Sequence, residues 1–411
     1  MTEQLLDVIR TLIKQNGRIT FSRFMAEAMF SPMGGYYSTA GRTVGRDYYT
    51  SPMAHPVFGA LMSRQIEQFW RLLDRPKTFH LVEVGSGRGD LAKAITGYVR
   101  STSSEFSKAL EYIGVDYDPA EYTDGEFASI KGQGLPLRGL VGCIVSNELI
   151  DSFPVHRFVI VKGRILEVYV ALDQGKFIEV IDEPSSGLLE QRLLELRLDL
   201  PDGFRGEINL QMNDWSDGVS NALDRGFVLT IDYGHLATDL YSEERSQGTL
   251  RCYYRHILLG NPYQHIGDQD LTSHVDFTSL MNLGSAKGMV PLGYTSQQEF
   301  LRRLGFSSFL LSLGRRQISQ SELDVNRMSM LDLVKPDGMG AFKVLCQSKG
   351  INPSLSLMGF NASDIEDKPW DHAGLLPECP VLSESRLNLL TARYPHTGWE
   401  WEELWPFGKG T

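Results

Sequence analysis

Leu5, Val8, Ile9, Leu12 and Ile13 recur at helical spacing, and Asn16-Gly17 ends the run, which predicts a first helix. A second is predicted from Thr20, with Phe21, Phe24, Met25, Ala28 and Met29 on one face. It stops before the turn-rich stretch 31–37. Pro56 opens a third, whose apolar side carries Phe58, Leu61, Met62, Ile66 and Phe69. From Phe79 the period changes. Short apolar runs at 79–84, 111–116, 140–145 and 226–232 alternate with helix-competent segments, as buried parallel strands do. Between 155 and 225 the alternation breaks. Strands are predicted at 157–161, 165–170 and 176–181, joined by tight turns at Lys162-Gly163 and Gln174-Gly175, and this reads as an antiparallel insertion. A further strand is expected at 206–212, then a helix capped by Asn213 and running to Leu223. Later come a helix at 277–286, a strand at 289–292 and a helix at 296–304, with Ser296 and Glu299 as a capping box. The last strand, 341–346, reads as an antiparallel edge.

These elements divide the chain into an N-terminal helical cap (1–75) and a core (76–155 and 226–348) interrupted by a β-rich insertion (156–225). A tail (349–411) rich in Pro and Trp follows, expected to wrap the domain. The chain has 411 residues, 42% hydrophobic and 22% charged, enough to build a sizeable core. Its formal net charge of −11 argues against a nucleic-acid partner. Four scattered cysteines give neither a zinc site nor a disulfide framework. No apolar run approaches the ~18 residues of a membrane span. Glu3 and Asp7 fit neither a signal nor a transit peptide, so a cytoplasmic protein without membrane partners is expected.

The chemistry gathers at strand ends. After Glu83 come Gly85, Ser86, Gly87 and Gly89, a G-x-G-x-G turn rather than the dinucleotide G-x-G-x-x-G. A dinucleotide needs its pyrophosphate on a helix N-terminus. S-adenosylmethionine has no phosphate and needs acidic groups for its ammonium and hydroxyls, which Glu83 suits. Asp116 closes the next strand, where an acid reaches ribose hydroxyls. Asn147, Glu148 and Asp151 follow the 140–145 strand and point to the ligand crevice, although Asn147 and Asp151 could instead cap a helix from Glu148. Asp232 ends the strand at 226–232 in the same manner. The stretch 267–277 packs three acids around His274 but lacks metal-ligand spacing, so no metal is expected.

Six ordered stretches carry a family resemblance: 19–25 with Gly35-Tyr-Tyr37, Asp47-Tyr-Tyr-Thr-Ser-Pro52, 82–91, 147–158, Asp232-Tyr-Gly234 and 270–277. With them the chain resembles the MidA-like family of S-adenosylmethionine-dependent methyltransferases. The best-known members of that family are mitochondrial complex I assembly factors that methylate protein arginine. The resemblance implies an α/β, class I methyltransferase (Rossmann-like) fold. It has a mostly parallel seven-stranded sheet, an N-terminal helical layer and an antiparallel β insertion. It implies S-adenosyl-L-methionine as cofactor, held by Glu83, Gly85, Ser86, Gly87, Gly89, Asp116, Tyr117 and Asn147, with Tyr49, Thr50 and Ser51 alongside. It implies a protein substrate; whether the chain forms a homodimer is left open. Asp90 stands where relatives often carry Thr or Ser, and the tail is outside the pattern. If arginine is the acceptor, an always-protonated guanidinium must approach a sulfonium. Glu148 and Asp151, on one side of a helical turn, and Asp232 are the candidate catalytic acids that offset this repulsion. The competing reading is a non-catalytic assembly or scaffold factor. The intact set of Glu83, glycines, Asp116 and Glu148 argues against it.

Overall fold

Residues 2–38, 50–118, 127–132, 134–255, 257–361 and 376–383 are described by the computed structural model. Tyr49 and most of the Trp-rich tail lie outside them. The chain opens with α1 (Thr2–Asn16), the two-residue strand β1 (Ile19–Thr20) and α2 (Phe21–Phe30). The Thr20 hydroxyl accepts the Arg23 N–H and starts α2, whose apolar face is buried as its spacing requires. Next are α3 (Ser51–Ala54), α4 (Val57–Leu72), β2 (Phe79–Val84), α5 (Asp90–Thr102), α6 (Ser104–Ala109), β3 (Leu110–Asp116), β4 (Ala128–Lys131) and β5 (Leu140–Asn147). The insertion holds β6 (His156–Val161), β7 (Arg164–Asp173), β8 (Lys176–Asp182), α7 (Gly187–Leu196) and β9 (Arg205–Ile208). Then follow α8 (Gln211–Ala222), β10 (Leu223–Asp232), β11 (Gly234–His235), α9 (Ala237–Leu240), β12 (Arg251–Tyr254), β13 (Ile257–Leu259), β14 (Asp270–Thr272) and β15 (Val275–Asp276). The described core closes with α10 (Phe277–Ala286), β16 (Val290–Ser296), α11 (Gln297–Arg303), α12 (Phe306–Leu313), α13 (Gln320–Asp332) and β17 (Lys343–Lys349).

Seven strands form the central sheet in the order β16-β17-β10-β5-β2-β3-β4. The sheet is mixed. Pairings from β4 through β10 are parallel, whereas β17 runs antiparallel to both β10 and β16. The last strand is therefore not the edge that its sequence suggested. β17 is buried along its middle, while the half-exposed β16 takes the outside position. Strands β2, β5 and β10 approach one another through glycine. A Cβ on Gly142 would lie 2.0 Å from the His80 carbonyl oxygen, and one on Gly226 2.0 Å from that of Gly142. Helix α4 covers one face, burying Phe58, Leu61, Ile66 and Phe69 in the same cluster as Phe79, Leu81, Phe227 and Leu229. Helix α8 covers the other, with Val219 and Ala222 against Val82, Ile144 and Val228.

The insertion is antiparallel, as its turns predict, and β1 adds to it by pairing with β7. The N-terminal helices thus share a core with the inserted sheet, through Leu5, Ile9, Phe24 and Met25 against Val170. Three local expectations are corrected. Asn213 does not cap α8 but sits inside it, its Oδ1 accepting from the buried Arg192 guanidinium. Ser296 Oγ accepts the Glu299 N–H, but the Glu299 carboxylate turns to Arg302 and Arg303. The reciprocal box is instead at Ser319 and Glu322. No helix starts at Glu148; a single 3-10 turn spans Ile150–Ser152.

Candidate functional site

The turn after β2 is built for open backbone. Gly85, Gly87 and Gly89 all have positive φ, and a Cβ on Gly87 would meet nothing within 4 Å. The N–H groups of Gly85 and Ser86 donate to the Val115 carbonyl at 2.8 and 3.3 Å, tying the turn to β3. Asp116 Oδ2 accepts the Gly87 N–H at 2.8 Å, and its Oδ1 accepts the Asp118 N–H at 3.0 Å. The carboxylate thus fixes the turn while standing at the end of β3. Glu83 is buried and accepts the Tyr112 hydroxyl at 2.6 Å. Burial pushes its carboxyl up to about 8; the Tyr112 hydrogen bond opposes this and repulsion from Asp116 and Asp90 adds to it.

β5 delivers Asn147 and Glu148. Glu148 is a non-glycine residue at φ +50°, pinned by its N–H donating to the Ile231 carbonyl at 2.8 Å. Its Oε1 accepts both the Ser51 N–H and the Asn147 amide, each at 3.0 Å. Burial raises this carboxyl to about 8; the Ser51 N–H lowers it, and repulsion from Asp151 raises it further. Asp232 has another job. Fully buried, its Oδ2 accepts the N–H groups of Leu149, Ile150 and Asp151 at 3.2, 2.9 and 3.3 Å. It organises the backbone of the turn that carries Glu148. Asp151 takes the Tyr233 hydroxyl, and burial pushes its carboxyl up to about 6. With Glu148 in the left-handed region and a 3-10 turn after it, the two acids do not share a helical face.

A cavity of about 1250 Å³ joins these parts. Of the residues expected from sequence, Glu83, Gly85, Ser86, Gly87, Asp116, Tyr117, Thr50, Asn147 and Glu148 line it. Gly89, Ser51, Asp151 and Asp232 do not. Gly89 is the left-handed cap of α5, and Ser51 acts on Glu148 through its backbone. Among the wall residues that sequence reasoning missed are Arg23, Glu27 and Phe30 of α2, and Asp214 and Trp215 of α8. The polar i,i+4 pair Arg23 and Glu27, opposite the apolar face of α2, was the available signal. Two of the three acids of 267–277 are engaged within the fold. Asp276 caps α10 and Asp270 accepts from Tyr37. Burial holds the His274 imidazole down at about 4, beside Tyr233 and His235. Among the described residues no three His, Cys, Asp or Glu side chains gather as a metal site.

The donor set suits a cationic nucleoside without phosphate. Buried or strand-end carboxylates face the cavity beside bare glycine backbone. The two arginines of its wall, Arg23 and Arg88, are paired with Glu27 at 2.6 Å and Asp90 at 3.4 Å. Two polar atoms of its lining residues, Ser86 Oγ and Asn147 Oδ1, are sealed from solvent and have no hydrogen-bond partner among the described residues.

Comparison with known proteins agrees with this chemistry. The family model described as S-adenosyl-L-methionine-dependent methyltransferase matches residues 61–295. The chain is 26% identical to a Drosophila melanogaster protein over 84% of each chain. That protein is named protein arginine methyltransferase NDUFAF7 homolog, mitochondrial. It is 27% identical to the Homo sapiens protein arginine methyltransferase NDUFAF7, mitochondrial, over 71% of each. A crystal structure of a Burkholderia thailandensis protein bound to S-adenosyl-homocysteine is similar with a TM-score of 0.75 and 28% identity. The match covers 87% of this chain and 94% of that one. One expectation is overturned. The cytoplasmic placement rested on the acids near the N-terminus, whereas the matching relatives are named mitochondrial.

Proposed function

The chain belongs to the S-adenosyl-L-methionine-dependent methyltransferase family whose model spans residues 61–295, and from that membership we propose that it methylates arginine on a protein substrate. The names of its relatives support this reading. The observation that carries it is Glu148, a partly buried carboxylate with one oxygen anchored and the side chain lining the cavity. When bound, the cofactor supplies an electrophilic methyl on a sulfonium.

Glu83, Asp116, Tyr117, Ser86, Thr50 and the glycine turn are the residues we assign to holding it. Asp116, and Glu83 once ionised, favour its positive charge, and the bare backbone at Gly87 gives it room. Without ligands burial keeps the Glu148 proton on below about 8; two approaching cations favour its ionised form, and that carboxylate then lets a guanidinium approach the sulfonium and orients the planar head. Methylation leaves a cationic product and releases one proton. A carboxyl raised to about 8 is suited to receive that proton near neutral pH. Asp232 acts at one remove, by holding the backbone on which Glu148 stands. Asp151 extends the same buried acid group without reaching the cavity.

The test is to incubate the protein with methyl-labelled cofactor and protein extract, hydrolyse the products and identify the labelled amino acid. Methylarginine is expected, and it should vanish with Glu148→Gln while S-adenosyl-homocysteine binding persists. Label confined to another residue, or none with a cofactor-binding protein, would overturn the reading.

A further inference from the structure

The cavity is larger than its cofactor residues account for. At about 1250 Å³ it exceeds the ~300–1,000 Å³ of an ordinary small-ligand site. Most residues assigned to the cofactor gather at the ends of β2 and β3 and on the glycine turn. Elsewhere the cavity is walled by two helices. From α2 come Arg23, Ala26, Glu27 and Phe30. From α8 come Gln211, Asp214, Trp215 and Gly218. Each set repeats at i, i+3, i+4 and i+7, so each is one stripe along one helix face. The turn that follows Glu148 touches both helices and itself lines the cavity. Ser22 Oγ donates to the Pro154 carbonyl at 3.4 Å, and Phe153 meets the Trp215 ring in a T-shaped contact at 6.3 Å. The two walls differ in charge. In α2, Arg23 and Glu27 neutralise each other at 2.6 Å. In α8, Asp214 is exposed, and its carboxylate meets no cation among the described residues, whereas Asp217 is paired with Lys287. Gly218, one turn beyond Asp214, leaves the space beside it clear: a Cβ there would meet nothing within 4 Å.

We infer that the α8 stripe is a docking subsite for the acceptor chain, in which Asp214 receives a second basic side chain from the segment that carries the methylated arginine. This rests on the reading of an arginine-bearing protein acceptor. The chemistry of the stripe selects that occupant. An acidic segment would meet an uncompensated carboxylate, and an apolar one would desolvate it without a partner. A lysine or a second arginine satisfies the charge, and Trp215, next in the stripe, offers aromatic surface to its methylene stem. Solvation divides the work between the two acids. Asp214 is exposed and attracts a cation during encounter, while the partly buried Glu148 meets the reacting head. An exposed ion pair is worth only a few-fold in affinity. Asp214 therefore sets a preference among arginines by what flanks them, and the ability to bind one does not depend on it.

The experiment loads the protein with S-adenosyl-homocysteine and titrates it, by calorimetry and ligand-observed NMR, with short synthetic peptides that carry one central arginine among Gly and Ser. In one series a lysine takes each other position in turn, and in a second a glutamate does; the reference peptide has neither. At one or more positions lysine should tighten binding by about threefold to fivefold over the reference. Asp214→Asn should cut that advantage to under about twofold, and Asp214→Lys should transfer it to glutamate at the same position. Glu3→Gln makes the same change of net charge as Asp214→Asn, on α1 and away from the cavity, and should leave the advantage intact. Affinity for S-adenosyl-homocysteine should stay within about twofold in every variant, since the glycine turn is untouched. Asp214 is exposed, so its replacement spares the core, and a melting curve of each loaded variant checks this. Four results would overturn the inference: no lysine position better than the reference in the native protein, an advantage that survives in both Asp214 variants, an advantage that Glu3→Gln removes as fully, or loss of S-adenosyl-homocysteine affinity in step with peptide. The arginine reading fails separately, through the identity of the labelled amino acid. Methylarginine in the extract with no lysine advantage among the peptides would sink the subsite and leave that reading standing.

Discussion

Replacing Glu148 with Gln should stabilise the protein while stopping catalysis. In the folded chain burial lifts this carboxyl from an ordinary 4.5 to about 8, against the pull of the Ser51 N–H. At about 1.4 kcal/mol per pH unit, that difference corresponds to at most about 5 kcal/mol. The side chain opens on a cavity rather than on dry core, so about 1–3 kcal/mol is the working figure. The sign follows from proton counting. Between 4.5 and 8 the folded chain keeps a proton that the unfolded chain has released. The stability this confers is complete below 4.5 and is lost as pH rises through 8. Glutamine retains an oxygen for the Ser51 N–H and has no charge to hide, so the variant escapes the loss. Glu83 titrates over the same window but is common to both proteins. Urea unfolding near pH 5, 7 and 9 at constant ionic strength measures the difference. It should be near zero at the acid end and reach about 1–3 kcal/mol in favour of Gln at the alkaline end. Coincident stabilities at all three pH values would refute the claim that this carboxylate is ionised against its surroundings.

Gly87→Arg should abolish S-adenosyl-homocysteine binding, because the new side chain would project from an unobstructed Cβ of a cavity-lining residue, at a cost of about 1–2 kcal/mol for a side chain at φ +49°; circular dichroism and calorimetry together check that the fold survives and binding does not. Tyr112→Phe removes the 2.6 Å donor to Glu83 and should drive that carboxyl still higher. Affinity for the cationic cofactor at neutral pH should then fall roughly tenfold, and for neutral S-adenosyl-homocysteine less. In the native protein the preference for cofactor over S-adenosyl-homocysteine should grow as pH rises through about 8, where Glu83 and Glu148 ionise; a pH-independent ratio would contradict it. Asp232→Ala strands the N–H groups of residues 149–151 and should destabilise the protein by about 3 kcal/mol, seen in urea unfolding.

The alternating strands and helices around Phe79 made the sheet legible, since their runs of apolar residues have no other use than burial on both faces. The glycine turn and the acids at 83 and 116 were legible for a related reason: a short polar group ending an apolar strand lies where the strand leaves the core. Less legible were the places where tertiary packing overrides local pattern. β17 reads as an edge because it comes last, yet it is the strand that Leu345 and Cys346 bury in the interior. Helices α12 and α13 were not anticipated. In α13 only Val325, Asn326, Ser329 and Met330 are buried, so polar side chains at half the buried positions blur the apolar stripe. The aromatic and acidic wall from α2 and α8 could not be assembled from sequence, because nearly 200 residues separate Glu27 from Asp214.

Asp151, Glu148 and Asp232 look alike in the sequence, each an acid just beyond a buried strand. Only the hydrogen-bond ledger separates them. Asp232 is occupied by four backbone N–H groups, a complement that leaves it nothing to offer a ligand. Asp151 gives one oxygen to the Tyr233 hydroxyl and lies outside the cavity. Glu148 alone of the three is held by one oxygen and faces the cavity, and the other two explain how it can be. Its left-handed backbone is a conformation that glycine would adopt without cost and glutamate does not. The three donors collected by Asp232 and the Ile231 carbonyl hold that conformation in place. A glycine at 148 would relax the backbone and remove the charge, so the strain at this position is tied to the carboxylate it presents.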